Sequence, residues 1–249
     1  MKIMTCLIVV IIVSSVSWAE SEVLKVGIID IRPWGYLEHG HIIGQQRDVF
    51  HALAEVTGMT FDYELLPLKR LQHYLTTGQI DLASLFKREE LLPYVELVVW
   101  VAGETYYLVG PKGQHFDATN LARIQRIGVI IGETTIVQKS LIDHYHLKAK
   151  LDVGGTTYDT LLKKLNAGRI DALCIAKPGL QTYMTALGLS EDEVGDAFVI
   201  ESQEGYLQFS TQSPRYTPDV IRTLHEGFET LRENGVLSNI DEKYLGREE

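Results

Sequence analysis

Cysteine is scarce in this chain of 249 residues, which contains only Cys6 and Cys174. Cys6 lies in a segment that we expect to be removed, so the remainder cannot form an internal disulfide. Cys174 sits in the apolar stretch "DALCIA", which is typical of a buried strand, and is interpreted as a structural thiol rather than a nucleophile. Basic residues are also in the minority, with 23 Lys and Arg against 33 Asp and Glu. This acidic balance argues against nucleic acid or an anionic membrane surface as a partner.

Long apolar runs are missing as well. The stretch "CLIVVIIV" near the N-terminus falls short of the ~20 residues that span a bilayer, and no later stretch is long enough. Lys2 precedes this run and the small residues of "SWA" close it, as in a secretory signal. The sequence predicts cleavage after Ala19, no lipid on Cys6 and a periplasmic protein, with an uncleaved membrane anchor as the alternative.

Several catalytic motifs are absent. The chain has no Gly-rich phosphate loop, no G-x-S-x-G nucleophile and no evident pair of catalytic carboxylates. Glu38, His39 and His41 in "EHGH" lie between a strand and a helix, where they are typical of a solvent-exposed hairpin rather than of a metal site. We therefore expect no enzyme activity, no metal and no cofactor.

Strand and helix patterns alternate in two runs. In the first, strands at 23–30, 59–66 and 80–86 enclose helical patterns at 49–57 and 70–77. In the second, strands at 126–131, 149–155 and 170–176 enclose helical patterns at 132–145 and 158–167. Such alternation predicts parallel βαβ units, and two runs of it predict two similar α/β lobes. A strand at 205–210 and helices to residue 246 belong to neither run, so we expect them to pack on one of the lobes.

One phrase occurs in both runs, "GQIDLAS" at 78–84 and "GRIDALC" at 168–174. In each, a glycine ends a helix, an isoleucine begins a buried strand, and an aspartate at the strand's entry can accept hydrogen bonds from nearby backbone N–H groups. The phrase is interpreted as a structural joint used once per lobe. Ligands in α/β sheets bind just beyond the carboxyl ends of such strands.

The order of these features resembles the family 3 periplasmic solute-binding proteins, which serve ABC importers. The resemblance covers the whole mature chain and rests on "RPWGYLEHGHIIGQQRDVFHALAEVTG", "LQHYLTTGQIDLA", "RIGVIIGETT", "YDTLLKKLNAGRIDALCIA" and "FETLRENGVLSNIDEKYLG". It implies a two-lobed clamshell, each lobe a mainly parallel sheet flanked by helices, joined by crossovers near 102–105 and 200–205. The expected division is a signal peptide at 1–19, a first lobe at 20–103, a second lobe at 104–203 and a segment at 204–249 that returns to the first lobe.

The resemblance also implies a site between the lobes. In amino-acid-binding members an arginine after the first lobe's strand binds the ligand carboxylate, and an aspartate after the second lobe's strand binds the ammonium. Aligning the two phrases puts Leu91 or Leu92 at the first position and Ala176 at the second, so both anchors are predicted to be missing. Arg88, one turn earlier, is either a substitute for the arginine or a solvated charge. The sequence therefore predicts weak or absent binding of free α-amino acids.

Other positions carry the types of residue that the family has at its ligand-contacting positions. An aromatic ring near the end of the first strand stacks on the ligand, and "PWGY" offers two. "GETT" opens a second-lobe helix whose N–H groups and hydroxyls either bind an anion or only cap the helix. The full set of predicted ligand-binding residues is Trp34, Tyr36, Arg70, Ser84, Phe86, Arg88, Thr134 and Thr135.

The function that this implies is the capture of a small polar solute by a monomer, for delivery to an ABC permease. Two alternatives stay open. One is a periplasmic enzyme on the same scaffold, such as a dehydratase, for which Glu104 and Glu133 are the only carboxylates near the cleft. The other is a sensing component that presents its ligand to a membrane receptor.

Overall fold

The computed structural model describes residues 23–155, 157–177, 179–181, 184, 190 and 198–245; the predicted signal segment lies outside them. The strands are β1 (Leu24–Ile29), β2 (Tyr36–Glu38), β3 (His41–Ile43), β4 (Phe61–Leu66), β5 (Leu82–Phe86), β6 (Val95–Val109), β7 (Arg126–Ile130), β8 (Lys150–Gly155), β9 (Ala172–Ala176) and β10 (Phe198–Ser210). The α-helices that lie entirely within the described residues are α1 (Gln45–Thr57), α2 (Leu68–Thr76), α3 (Thr134–Val137), α4 (Tyr158–Asn166), α5 (Pro218–Glu233) and α6 (Val236–Leu245).

One sheet runs through the molecule in the order β4-β1-β5-β10-β6-β9-β7-β8. In the first lobe β1 lies between β4 and β5 and is parallel to both. In the second lobe β7 lies between β8 and β9 and is parallel to both. Each lobe thus has the strand order second, first, third, which explains why the same helix-to-strand phrase occurs twice. The predicted α/β class with two similar, mainly parallel lobes is confirmed.

Two long strands cross between the lobes. β6 and β10 pair antiparallel along their lengths, from Phe198 opposite Leu108 to Ser210 opposite Val95. β10 pairs with β5 only from residue 205 onward, and β6 pairs with β9 only from residue 106 onward. In the described sheet, residues 104–105 and 202–203 therefore pair only with each other, while the Glu204 carbonyl also accepts a hydrogen bond from the Lys87 N–H at 2.8 Å. The residue limits of the lobes stay a prediction.

The C-terminal helices α5 and α6 lie on the first lobe, where both contact α1. Phe228 of α5 packs in one cluster with Phe50 and Leu53 of α1. Asp48 of α1 accepts hydrogen bonds from the Lys243 ammonium at 2.9 Å and from the Tyr244 hydroxyl at 2.8 Å. These contacts place the end of α6 beside the start of α1, at the edge of the space between the lobes.

The lobes also contact each other away from the crossovers. A buried cluster contains Leu71 and Leu75 of α2 together with Leu161 and Leu165 of α4. Trp34 packs against the same cluster. The two lobes therefore share apolar packing along one side of the space between them.

Two elements differ from the sequence prediction. β10 begins at Phe198 rather than at residue 205. The prediction missed the segment at 198–204 because it contains no fully buried residue and ends in the polar run "ESQE". The predicted helix at 132–145 has only four α-helical residues, and its chain continues as a π-helical segment at Gln138–Asp143.

The "EHGH" stretch forms the expected hairpin, with His39 and Gly40 at positive φ between β2 and β3.

Candidate functional site

A cavity of about 720 Å³, part of it open to solvent, lies where the two lobes meet. Its walls come from β1 and the loop after it, the starts of α1 and α2, the end of β5, both crossover strands, the "GETT" turn and the last helix. The charged residues among them are Arg88, Glu104, Glu133 and Asp241.

Arg88 is the cation of this cavity. It follows the end of β5, and its backbone carbonyl accepts hydrogen bonds from the N–H groups of Leu91 and Leu92, so the chain turns directly after it. The residue is only 7% exposed. In the part of the chain that the structure describes, no carboxylate lies within 4.0 Å of its guanidinium. A buried guanidinium without an ion-pair partner is costly, so this position favours an external anion.

The predicted placement of Leu91 or Leu92 at this anchor position does not match the structure. Leu91 is buried in the apolar cluster that the lobes share, and Leu92 begins a short 3₁₀ turn with 38% of its surface exposed. Neither leucine lines the cavity, whereas Arg88 does. The alternative that Arg88 is a solvated charge is therefore wrong, because its side chain is buried at the cavity wall.

Glu133 is a buried carboxylate on the second lobe's wall. One of its oxygens accepts a hydrogen bond from the Tyr106 hydroxyl at 2.7 Å, and the other accepts one from the Tyr158 hydroxyl at 3.2 Å. Burial raises the pKa of Glu133, while the two hydroxyls and the nearby charge of Arg88 favour its ionised form. Burial also raises the pKa of both tyrosines well above the ordinary range, so they stay hydrogen-bond donors.

The expected aspartate position of the second lobe holds no polar side chain. Ala176, the last residue of β9, is 1% exposed and faces buried surroundings. Cys174, two residues earlier, is fully buried, and burial raises the pKa of its thiol well above the ordinary value. Its surroundings fit the structural thiol that the sequence predicts.

Three more of the predicted ligand-binding residues line the cavity: Trp34, Ser84 and Phe86. Trp34 also reaches the second lobe, since a Cβ built at Gly179 would lie 3.4 Å from its ring. The Ser84 carbonyl accepts a hydrogen bond from the Gln46 amide at 2.9 Å, which fixes the end of β5 against α1. The Phe86 ring meets the Tyr106 ring edge to face at 5.6 Å between centroids.

Four predicted residues do not line this cavity. The Tyr36 ring is covered by the Arg32 guanidinium, whose carbon lies 3.6 Å from the ring centroid. Arg70 is exposed on α2. Thr134 is half-buried in α3, and Thr135 lines a separate polar pocket beside the crossover strands.

Sequence reasoning missed the contribution of α1 and α6. The Gln45 amide donates a hydrogen bond to the Asp241 carboxylate at 2.9 Å, and both residues line the cavity. Gln46, also in the lining, donates to β5 and accepts from the Ile29 N–H at 3.2 Å. The signal in the sequence is "GQQRD", where two glutamines occupy the first turn of a helix that begins beside the cleft.

In the described ranges, no group of His, Cys, Asp and Glu side chains is arranged to hold a metal ion. The same part of the chain contains no helix long and apolar enough to cross a membrane.

No family model matches the chain. The probable amino-acid-binding protein YxeM of Bacillus subtilis (strain 168) is 22% identical over 244 residues, which cover 94% of this chain and 88% of the relative. The arginine-, lysine-, histidine-binding protein ArtJ from Geobacillus stearothermophilus superposes with a TM-score of 0.74 at 17% identity, over 92% of this chain and 97% of that one. A histidine kinase sensor domain with similarity to periplasmic binding proteins gives 0.73 at 17% identity, over 90% and 96%. The chain thus has the two-lobed fold of the periplasmic binding proteins, and its resemblance to the family 3 solute-binding proteins is confirmed.

Proposed function

We propose that the chain is an exported, non-enzymatic binding protein that captures a free amino acid between its lobes and delivers it to an ABC importer. The observation that carries this proposal is Arg88, a buried guanidinium at the cavity wall with no ion-pair partner in the described chain. A planar guanidinium binds a carboxylate through two parallel charge-assisted hydrogen bonds. The aromatic ring of Trp34 and the apolar end of β5 add surface for the rest of the ligand.

The sequence-based prediction that free α-amino acids bind weakly or not at all finds no support. It assumed that both charged anchors are missing. Arg88 lines the cavity after all, and Glu133 brings a carboxylate to the second lobe's wall. The YxeM and ArtJ resemblances also favour an amino acid over a ligand of another class.

Calorimetric titration with the standard L-amino acids tests the proposal. We expect at least one of them to bind the wild type, and Arg88→Ala to weaken that binding by about 30-fold or more, the range for removing one partner of a buried charge pair. Arg70→Ala is the matched control, because Arg70 is an exposed arginine of the same lobe outside the cavity. Failure of every amino acid to bind, or full affinity in Arg88→Ala, would overturn the proposal.

A sensing role is the second candidate, since the fold is shared with a histidine kinase sensor domain. Both roles use the same cleft. They differ in whether a permease or a membrane receptor recognises the closed form of the protein. An adjacent permease and ATPase gene supports import, and an adjacent receptor gene supports sensing.

Export itself is tested by the intact mass of the secreted form, which should begin near Glu20 and carry no lipid.

A further inference from the structure

The wall of the second lobe contains a carboxylate next to the place where the family's aspartate is missing. Ala176 holds that place and lies directly opposite Tyr106 in the pairing of β9 with β6. A hydrogen bond joins the Tyr158 hydroxyl to the backbone of Ala176. Both tyrosines are therefore immediate neighbours of Ala176, one across the sheet and one through its hydroxyl.

These are the same two tyrosines that donate to Glu133. The carboxylate thus reaches the neighbourhood of Ala176 from the "GETT" turn instead of from the end of β9. An ionised carboxylate offers about four lone-pair sites, and the two hydroxyls fill one on each oxygen. The remaining sites, on a residue that lines the cavity, can accept N–H groups from a bound ligand.

We infer that Glu133 is the residue that binds the ligand's cationic nitrogen, in place of the aspartate that is absent at Ala176. Arg88 and Glu133 then act as a pair from opposite lobes, one for the carboxylate and one for the ammonium. A ligand with both charges bridges the lobes and supplies Glu133 with a full countercharge, which a buried carboxylate needs. The inference rests on the proposed function and specifies which ligands fit it.

The charge of the lining restricts the ligand further. Its described residues include Glu104, Glu133 and Asp241 against the single guanidinium of Arg88. A ligand with a carboxylate but no cationic nitrogen would add negative charge to this wall and leave Glu133 without a countercharge. We therefore expect solutes with a free amino group to be preferred over their N-acetylated forms.

The test compares Glu133→Gln with the wild type, using the standard L-amino acids and the N-acetyl form of each. The glutamine keeps an oxygen for a tyrosine hydroxyl and removes the charge. For the amino acid that binds the wild type best, we expect Glu133→Gln to lose about 30-fold or more in affinity, while the weaker affinity for its N-acetyl form changes little. Glu201→Gln is the matched control, because Glu201 lies near Arg88 but outside the main cavity.

The outcomes separate the inference from the proposed function. If amino acids bind the wild type and Glu133→Gln binds them equally well, the inference is wrong and the proposed function stands. A loss confined to Glu104→Gln would assign the ammonium to Glu104 and also overturn the inference. Putrescine, which has ammonium groups and no carboxylate, is the further probe: if it binds the wild type but not Glu133→Gln while no amino acid binds, the inference stands and the proposed function fails. If neither putrescine nor any amino acid binds the wild type, both are overturned.

Discussion

Asp81 and Asp171 occupy the same place in the two lobes, just before the lobe's third strand. Each accepts hydrogen bonds from backbone N–H groups at the start of the lobe's first strand. One Asp81 oxygen accepts a hydrogen bond from the Lys25 N–H at 2.7 Å. One Asp171 oxygen accepts from the N–H groups of Gln125 at 3.0 Å and Arg126 at 2.8 Å. The repeated phrase is therefore a structural joint, because in both copies the aspartate accepts backbone hydrogen bonds and lies outside the lining of the cavity between the lobes.

The two joints differ in burial, and this gives a first prediction. Asp81 is 1% exposed and also accepts from the Ser213 hydroxyl and the Arg215 guanidinium, whereas Asp171 is partly exposed. We expect Asp81→Ala to lower the free energy of unfolding by ~3–5 kcal/mol, since it leaves buried donors and a charge unpaired. Asp171→Ala should cost ~1 kcal/mol. Urea unfolding of both variants measures this, and equal losses would show that the extra partners of Asp81 contribute nothing.

Most of the fold could be predicted from the sequence because apolar periodicity and helix-ending glycines mark the elements. Gly78 and Gly168, both at positive φ, end the helical segments before β5 and β9 as expected. The first half of β10 could not be predicted, because it contains no fully buried residue and ends in the polar run "ESQE" at 201–204. The sequence also gives no sign that α3 ends after four residues, since apolar residues continue at helical spacing into the π-helical segment.

Of the candidate site, the sequence could predict only those residues whose positions follow from the ends of strands. Trp34, Ser84 and Phe86 lie at or just beyond the ends of parallel strands, and all three line the cavity. The position of Arg88 depended on the length of a loop, which periodicity does not determine. Glu133 was placed near the cleft from the sequence, but its contacts with Tyr106 and Tyr158 could not be predicted, because the three residues are distant in sequence and meet only through the sheet.

Gly132 gives a second prediction, about closure of the lobes. It has φ +108, and a Cβ added there would lie 2.9 Å from the Cγ of Leu68 in the opposite lobe. Gly132→Ala should therefore hold the lobes slightly apart, weaken ligand binding and increase the radius of gyration of the ligand-saturated protein in small-angle scattering. Gly168→Ala is the control, since it shares the backbone strain at φ +66 but has no atom within 4 Å of an added Cβ. If both variants bind alike, this contact does not limit closure.

The raised pKa of Glu133 gives a third prediction, for the ligand-free protein. Burial raises this pKa above its ordinary value of 4.5. The folded state then holds the proton more tightly than the unfolded chain, so Glu133 lowers stability progressively as the pH rises from 4.5 to the folded pKa. The glutamine of Glu133→Gln does not titrate. Tyr106 and Tyr158, which donate hydrogen bonds to Glu133, stay protonated in this window, because burial raises the pKa of each well above its ordinary value.

Urea unfolding of the wild type and Glu133→Gln from about pH 4 to about pH 8 measures the effect. The stability of the wild type relative to the variant should fall with rising pH and level off above the folded pKa. A difference that stays flat, or that rises with pH, would show that the carboxylate of Glu133 is not destabilised by burial.

The last prediction tests whether Glu133 and position 176 are neighbours. Ala176→Asp introduces a second carboxylate beside Tyr106 and Tyr158, and two like charges in one buried site destabilise each other. We expect the loss in the free energy of unfolding at pH 7 to be smaller in a Glu133→Gln background, with a coupling of ~1–3 kcal/mol in the double-mutant cycle. Ala176→Asn is the control for size and polarity, because its cost should not depend on the charge at Glu133. A coupling close to zero for Ala176→Asp, or an equal one for Ala176→Asn, would mean that the carboxylate of Glu133 does not occupy the space that the missing aspartate leaves.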